Sequence, residues 1–233
     1  MSSGKGRLLS FFGGLLLTEA TITHNEALGP YRRLSLRGEG LQAKAFEPGD
    51  KLQLLLPGDD VRTYTPITWE KGETSLLVYL HGVTTPAPRW AQAAAPGDVL
   101  RFIGPQRSLS LPPGPVVIVG DETSIAVAAA FVHARPGQVK ALLSVKDVKA
   151  ARDAAAAVGL ASPELFVREA DASAHHQRLA EAATAAGAGA PGVSVGLCGG
   201  AALIQGVRAA LREKGVSGVK VKAYWAPGKV GLD

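Results

Sequence analysis

Short apolar segments separated by turn residues fill the first half of the chain. A Pro-Gly-Asp turn precedes two of them, Lys51–Leu56 and the segment that starts at Val99. Short runs of Val, Leu, Ile and Thr bounded by Gly, Pro and Asp are typical of β-strands. About six such segments between residues 7 and 111 predict a small antiparallel barrel or sandwich.

The second half has a different pattern. Val116–Val119 is a continuous apolar run, which is typical of a strand that is buried on both faces of a parallel sheet. Similar runs then alternate with Ala-rich helical patterns, and this alternation predicts βαβ units. The Pro-rich connector 111–115 separates the two patterns. We therefore predict one domain over residues 1–112 and an α/β domain over residues 113–233.

Composition and charge narrow the class of protein. The 233 residues are 46% hydrophobic and 19% charged, as in globular proteins. The net charge of +5 favours anionic ligands, but without a Lys/Arg run or interleaved aromatic residues it does not indicate nucleic acid. The single cysteine, Cys198, excludes a disulfide framework and a Cys-based zinc site, so we expect a cytoplasmic protein. No apolar run is long enough to span a membrane.

Arg62-Thr63-Tyr64-Thr65 is the first motif that suggests chemistry. Alternate residues of a strand point the same way, so Arg62 and Tyr64 can face one ligand. The four residues resemble the Arg-x-Tyr-Ser/Thr motif of the ferredoxin reductase superfamily, which implies that the guanidinium binds a flavin phosphate and that the tyrosine ring packs on the flavin. The expected strand covers Thr63–Ile67. The alternative interpretation is an ordinary strand that carries a surface arginine.

Further motifs follow this one in a fixed order along residues 30–230. They are His81-Gly82, Pro86-Ala87-Pro88-Arg89-Trp90, Pro96-Gly97-Asp98, Gly104-Pro105, Gly120-Asp121-Glu122-Thr123 and Tyr224-Trp225 with Gly228. This series resembles the siderophore-interacting protein family of FAD-dependent ferric-siderophore reductases, within the ferredoxin reductase-like superfamily. The resemblance implies a six-stranded antiparallel Greek-key FAD-binding barrel, followed by a parallel-sheet NAD(P)H-binding domain.

On the flavin side, the resemblance implies a set of FAD contacts. The contacts with the flavin phosphate and ring would come from Arg62, Tyr64 and Thr65, and backbone contacts from Pro66 and Ile67. The loop beside the pyrophosphate and adenosine would contribute His81, Gly82, Val83, Ala87, Arg89 and Trp90. Two departures stand out. Pro88 replaces a small hydroxyl residue, for which Arg89 could substitute as a cation, and Ala226 replaces an arginine near the end. An ordinary core or edge histidine is the alternative for His81.

On the nicotinamide side, the turn Gly120–Thr123 lies between a strand and a helix, where free N–H groups attract phosphate. Asp121 and Glu122 would repel an anion, so the turn either contacts the flavin side or binds nicotinamide weakly. Thr123 and Ser124 could equally be helix caps. The candidate cofactor-binding residues of this half are Asp121, Thr123, Ser124, Ser144, Lys146, Cys198 and Trp225.

Three of these candidates have specific alternatives. Cys198-Gly199-Gly200 resembles the Cys-Gly-Pro of ferredoxin reductases, or Cys198 is a small buried residue at the end of a strand. Ser144 and Lys146, with basic residues nearby at 149 and 152, suggest a preference for NADPH. The alternative interpretation is that these residues belong to a solvated helix face. Trp225 packs beside the flavin or anchors the C-terminal core.

The resemblance implies an FAD-dependent oxidoreductase that reduces ferric siderophores with electrons from NADPH, NADH or ferredoxin. The chemistry belongs to the cofactors, so no catalytic side chain and no protein-bound metal is expected. Two alternatives remain open: a general NAD(P)H–flavin reductase with another acceptor, and a flavin- or siderophore-binding protein with little turnover.

Overall fold

A computed structural model describes residues 17–58, 60–81 and 85–228. The chain divides into two compact units between Ser108 and Leu109, four residues before the boundary drawn from the sequence pattern. No helix in the described ranges is both long and apolar enough to cross a membrane.

In its described ranges, the first unit consists of antiparallel strands and two short helices. Its elements are β1 (Thr18–Leu28), β2 (Tyr31–Arg37), α1 (Glu39–Gln42), β3 (Lys51–Leu56), β4 (Asp60–Tyr64), β5 (Trp69–Glu70), β6 (Glu73–Tyr79), α2 (Pro86–Ala93) and β7 (Val99–Gln106). The strand order is β4-β3-β7-β1-β2-β6-β5, and the sheet is barrel-like without closing. The sequence predicted six strands, and the additional one is the two-residue β5, which is too short to show a hydrophobic period.

Alternation of side chains places the core of this unit. Leu52 and Leu54 of β3 and Phe102 of β7 have no exposed surface, and they pack in one cluster with Leu34 and Leu76. Residues two apart on a strand share a face, so the apolar positions that alternate in the sequence meet on one side of the sheet. The predicted fold class of this half is confirmed.

The second unit alternates strands and helices. Its elements are β8 (Val116–Asp121), a 3₁₀ turn (Glu122–Ser124), α3 (Ile125–Ala134), β9 (Val139–Val145), α4 (Val148–Ala157), β10 (Glu164–Val167), α5 (Ala172–Gly187), β11 (Ser194–Gly200), α6 (Ala201–Glu213) and β12 (Lys220–Trp225). All six residues of β8 are buried, as the apolar run predicts.

The five strands of this unit form a parallel sheet in the order β10-β9-β8-β11-β12. Their carboxyl ends therefore lie at one edge. The order reverses between β8 and β11, because the chain moves outward from β8 to β10 and returns to add β11 on the other side. In open parallel sheets, ligands bind beside such a switch point at the carboxyl ends of the strands.

Arg135 binds the backbone of the connector that leads into the second unit. Arg135, after α3, donates from Nη2 to the carbonyl of Leu111 at 2.9 Å and from Nη1 to that of Pro112 at 2.8 Å. A longer bond of 3.3 Å reaches the carbonyl of Gly114, and the guanidinium lies over the Phe131 ring, 5.2 Å from its centroid. The connector is thus fastened to the second unit by backbone carbonyls that the sheet does not use.

Candidate functional site

The arginine and tyrosine of the first motif lie on β4. Arg62 pairs with Leu54 of β3 and Tyr64 with Leu52, so the two side chains point to the same face. Tyr64 is half-buried against the core of the first unit. Burial raises the pKa of Tyr64, and its phenol stays protonated at neutral pH. The strand begins at Asp60 rather than at the expected Thr63.

A carboxylate holds the arginine in place. Arg62 Nη1 donates to Asp60 Oδ1 and, at 2.9 Å, to the carbonyl of Val61. The other carboxylate oxygen, Asp60 Oδ2, is buried and has no partner among the described residues. A buried acceptor without a donor costs free energy unless a ligand or water supplies the donor. This oxygen is therefore an acceptor that a bound hydroxyl would satisfy.

The residues after Tyr64 are buried. Thr65 and Pro66 have little exposed surface, and Ile67 donates its N–H to the carbonyl of Ser75 at 3.0 Å. The N–H of Ile67 is thus used by the protein, and its side chain is buried.

The loop beyond β6 is described only in part. His81 is exposed, with its ring centroid 6.3 Å from that of Tyr79. Gly82 and Val83, both candidate FAD contacts, lie outside the described residues.

Helix α2 carries the remaining flavin-side candidates. Ala87 is buried, Arg89 is exposed and Trp90 is half-buried against the core. Pro86 and Pro88 have no N–H, and Arg89 donates its own N–H to the carbonyl of Thr85 at 3.3 Å. The first turn of α2 can therefore present one backbone N–H to a phosphate, that of Ala87, and the cation of Arg89 is the stronger ligand group there.

In the second unit, the carboxylate of Asp121 joins three strands. Asp121 is 1% exposed and ends β8. Its Oδ1 accepts from the N–H of Thr123 at 2.9 Å, and its Oδ2 accepts from the N–H of Gly200 at 2.7 Å and from Trp225 Nε1 at 2.8 Å. Gly200 ends β11 and Trp225 ends β12, so one side chain connects the carboxyl ends of β8, β11 and β12.

The neighbouring Glu122 reaches the other side of the sheet. Its Oε1 accepts from the N–H of Lys146 at 2.8 Å, just after β9, and its Oε2 accepts from Arg168 at 2.6 Å, just after β10. Asp121 and Glu122 together thus tie the ends of all five strands. We call these two residues the acidic turn. The sequence suggested that they repel an anion, but in the structure both carboxylates are occupied by internal donors.

Two hydroxyl groups of this turn are also used internally. Thr123 Oγ1 donates to Asp121 Oδ1 at 2.5 Å, and Ser124 Oγ accepts from the N–H of Asp121 at 3.3 Å, which completes a capping box. A Cβ on Gly120 would lie 2.2 Å from Ser124 Oγ, so only glycine allows the approach. The capping side chain is that of Asp121; Ser124 contributes the reciprocal bond of the capping box, and the Thr123 hydroxyl bonds only the carboxylate of Asp121.

Cys198 lies inside the sheet. It has no exposed surface, and its Sγ lies 3.8 Å from the carbonyl oxygen of Val119. Burial raises the pKa of the thiol to about 12, so the group stays protonated and unreactive at neutral pH. Cys198 thus has no exposed surface that a cofactor could contact.

A cavity of about 200 Å³ opens at the carboxyl edge of the parallel sheet. Its lining includes Asp121 and Gly200, which end the two strands on either side of the switch point, β8 and β11. Of the residues expected on the nicotinamide side, it brings together Asp121, Ser144 and Trp225. We call it the edge cavity; its lining is completed by Arg168, Glu169, Ala172, His175, His176, Ala202 and Leu203.

The basic corner suggested by the sequence is not part of this cavity. Lys146 is exposed and does not line it. Lys149 is occupied by Asp153, 2.6 Å away. The cation that does line the edge cavity is Arg168, which sequence reasoning missed.

A buried histidine was missed as well. His175 is 2% exposed, and its Nε2 lies 2.7 Å from Ser144 Oγ, while its Nδ1 is buried without a partner among the described residues. Burial lowers the pKa of His175 and of His176, so both imidazoles are neutral at pH 7. The available sequence signal was Asp171, which caps α5 through the N–H groups of Ser173 and Ala174 and so places both histidines in its first turns.

Comparison with known proteins agrees with this architecture. Residues 59–109 match the family model described as the siderophore-interacting FAD-binding domain. That segment contains the β4 motif, the loop after β6 and helix α2. A comparison with curated proteins gives no significant match.

Solved structures resemble the chain over nearly its whole length. The siderophore-interacting protein SipS from Aeromonas hydrophila is 24% identical, with a TM-score of 0.73 over 92% of this chain and 93% of that one. A siderophore utilization protein from T. fusca is 23% identical, with a TM-score of 0.71 over 93% and 95%. The Amycolatopsis cytochrome P450 reductase GcoB is 20% identical, with a TM-score of 0.66 over 91% and 71%.

These matches confirm the resemblance that the ordered motifs indicated. Identities below one quarter establish the fold alone, and the family model matches residues 59–109 of the first unit. Residues 59–109 thus match a siderophore-interacting FAD-binding domain, and the chain as a whole has the fold of the solved siderophore-interacting and reductase structures that it resembles.

Proposed function

We propose that the protein is an FAD-dependent oxidoreductase that reduces ferric siderophores with electrons from NADH or NADPH. The observation that carries the proposal is the shared face of Arg62 and Tyr64 on β4, inside the segment that matches an FAD-binding domain. When bound, the flavin accepts a hydride from a nicotinamide and passes electrons singly to an acceptor.

The residues of the first unit fit FAD. The guanidinium of Arg62, held through Nη1 by Asp60, can offer Nε and Nη2 to a phosphate. The unpartnered Asp60 Oδ2 can accept from a ribityl hydroxyl. The protonated phenol of Tyr64 gives an uncharged ring for packing on the isoalloxazine. Arg89 can supply a cation beside the pyrophosphate, because the first turn of α2 offers only one backbone N–H there.

The edge cavity is the proposed nicotinamide dinucleotide site. It lies at the topological switch point of a parallel sheet, where such cofactors bind. Trp225 is partly exposed at its rim, and its indole N–H is fixed by Asp121, so the ring is oriented for stacking. The acidic turn keeps the strand ends in register around this cavity.

A ferric siderophore as acceptor is supported by charge and by the matches. The net charge of +5 attracts anionic complexes. Ligands of the catecholate and hydroxamate classes hold ferrous iron far less tightly than ferric iron, so a one-electron reduction releases the metal. The protein needs no general acid or base for this step.

A second acceptor class is favoured by one residue. Ala226 follows Trp225 where the family resemblance expects an arginine, and this removes a cation that an anionic siderophore would meet. A flavin reductase that serves a different acceptor is the corresponding alternative.

Reoxidation of the reduced protein tests the proposal. The purified protein should be yellow and should release FAD on denaturation. Anaerobic NADH or NADPH should bleach the flavin band near 450 nm, and a ferric hydroxamate or ferric catecholate complex should restore it while a ferrous chelator reports iron. Bleaching without reoxidation by either complex would support the second acceptor class. Absence of FAD, or failure to bleach, would contradict the oxidoreductase proposal.

A further inference from the structure

The charges around the edge cavity bear on which dinucleotide it accepts. Arg168 is the one arginine or lysine in its described lining. The side chain of Arg168 is 32% exposed, but its Nη2 is bonded at 2.6 Å to Glu122, whose side chain is 5% exposed. The same nitrogen is 3.5 Å from the carbonyl oxygen of Ser144. The positive charge is therefore neutralised from within the wall of the cavity.

A second carboxylate lines the cavity directly. Glu169 follows Arg168 after β10 and is 34% exposed. It pairs with Arg178, which does not line the cavity. Asp121, also in the lining, has both oxygens bonded to protein donors. The two histidines of the lining are neutral, since burial lowers the pKa of each. The lining thus contains two carboxylates, Asp121 and Glu169, against one guanidinium, Arg168, and each of the three is bonded to a protein group.

A known use of carboxylates occurs one strand away from Glu169, which follows the third strand of this sheet, β10. In dinucleotide-binding sheets, an acidic residue near the end of the second strand binds the ribose hydroxyls, whereas an arginine accommodates a 2′-phosphate. Ser144 lies at the end of β9, the second strand of this sheet, and it pairs with Phe166 of β10. Glu169 comes three residues after Phe166, and it lines the same cavity as Ser144.

We propose that Glu169 is a specificity-determining residue that makes the edge cavity select NADH over NADPH, and that Glu122 reinforces this choice by occupying Arg168. The inference rests on the proposed function, because it assumes that a nicotinamide dinucleotide binds here. Glu169 accepts from the adenosine ribose hydroxyls and repels a 2′-phosphate. This preference is the opposite of the one suggested by the basic residues that follow Ser144 in the sequence.

Binding of oxidised dinucleotides tests the inference without relying on turnover. Isothermal titration of the FAD-loaded protein with NAD⁺ and with NADP⁺ gives the ratio of the two dissociation constants. We expect NAD⁺ to bind at least about tenfold tighter, as one like-charge contact in a partly exposed site implies. Glu169→Gln should bring the ratio close to one, mainly through tighter binding of NADP⁺.

Two further variants make the result specific. Glu164→Gln, at the start of the preceding strand β10, exposed and outside the lining, is the matched control and should leave the ratio unchanged. Glu122→Gln should tighten NADP⁺ binding by releasing Arg168. If this buried variant folds poorly, Glu169→Gln alone decides the matter, because its side chain is partly exposed.

The outcomes separate this inference from the proposal beneath it. Equal or tighter binding of NADP⁺ by the unmodified protein, or a ratio that Glu169→Gln leaves unchanged, overturns the selectivity while the oxidoreductase proposal stands. If neither dinucleotide binds, the edge cavity is not a nicotinamide site, and both the inference and that part of the proposed function are wrong.

Discussion

The two units use carboxylates beside their candidate sites in different ways. On β4, Asp60 bonds one residue, Arg62, through Oδ1, and its Oδ2 has no partner among the described residues. In the acidic turn, both carboxylates accept from two or more protein donors and tie five strands together. The first arrangement leaves a carboxylate oxygen that a ligand can bind, whereas the second stabilises the strand ends that form the wall of a cavity.

This difference shows that an acidic residue in a motif does not by itself indicate contact with a ligand. The bond partners decide, because an acceptor that is satisfied by the protein gains little from a ligand, whereas an unsatisfied one gains much. The comparison predicts large losses of stability from changes in the acidic turn, and losses of cofactor binding with little change in stability from changes on β4.

Replacement of Asp121 should have the largest effect. Asp121→Ala leaves the N–H groups of Thr123, Gly200 and Trp225 without their acceptor. At about 1 kcal/mol for each hydrogen bond lost, the free energy of unfolding should fall by about 3 kcal/mol, measured by urea denaturation. Asp147→Ala is the matched control, because this exposed cap of α4 should cost only about 1 kcal/mol. Equal losses would mean that Asp121 does not connect the strands.

The next effect concerns the flavin. Arg62→Ala removes the cation proposed to bind the FAD phosphate, and charge-assisted bonds of this kind contribute about 1.5–3 kcal/mol. FAD affinity, followed by flavin fluorescence during dialysis, should therefore fall at least about tenfold while the unit stays folded. Arg101→Ala on β7 removes an arginine that pairs with Glu19 at the surface, and it should leave FAD content unchanged. Full retention of FAD by Arg62→Ala would show that the phosphate lies elsewhere.

A smaller loss is expected from the other half of the acidic turn. Glu122→Gln keeps the shape but removes the charge that Arg168 faces. Because Arg168 is about one-third exposed, solvent screens the pair, and we expect the free energy of unfolding to fall by about 1–2 kcal/mol. Glu181→Gln, which breaks an exposed pair with Lys214, should cost less than about 0.5 kcal/mol. If the free energy of unfolding falls as little in Glu122→Gln as in Glu181→Gln, then the pair of Glu122 with Arg168 stabilises the fold no more than an exposed ion pair does.

The smallest effect is a dependence on pH. Burial lowers the pKa of His175 in the folded protein below its ordinary value of 6.5, so the unfolded chain binds the proton more readily. The stability contributed by neutral His175 is present above pH 6.5 and declines as the pH falls below it. His175→Gln should therefore flatten the dependence of the free energy of unfolding on pH between 7 and 5. The exposed His24 of the first unit provides the control variant His24→Gln. Parallel curves for the unmodified protein and His175→Gln would contradict this account.

Local pattern predicted most of the architecture and part of the site. The apolar run at Val116 and the turn after it were predicted correctly, because burial on both faces of a sheet leaves a direct record in the sequence. Arg168 and His175 were not predicted as site residues, since their roles depend on Glu122 and Ser144, which lie 46 and 31 positions away along the chain. Hydrophobic periodicity carries no information on such pairings.

The same limitation applies to the flavin motif. The sequence indicated that Arg62 and Tyr64 share a face of a strand, which follows from alternation alone. It did not show that Asp60 holds the arginine, because a hydrogen bond over two residues depends on where the strand begins. The expected strand began at Thr63, which would have placed Asp60 in a loop.

The attachment of the connector by Arg135 determines how the chain can be divided. A fragment that begins at residue 113 would lose Leu109 and Leu111, both buried, and two carbonyls that Arg135 binds. A fragment that begins at Leu109 keeps the apolar side chains and the guanidinium's acceptors together. The Pro-rich segment, which has the composition of a linker, is therefore the first structural part of the second unit, and an isolated α/β half should be produced with it attached.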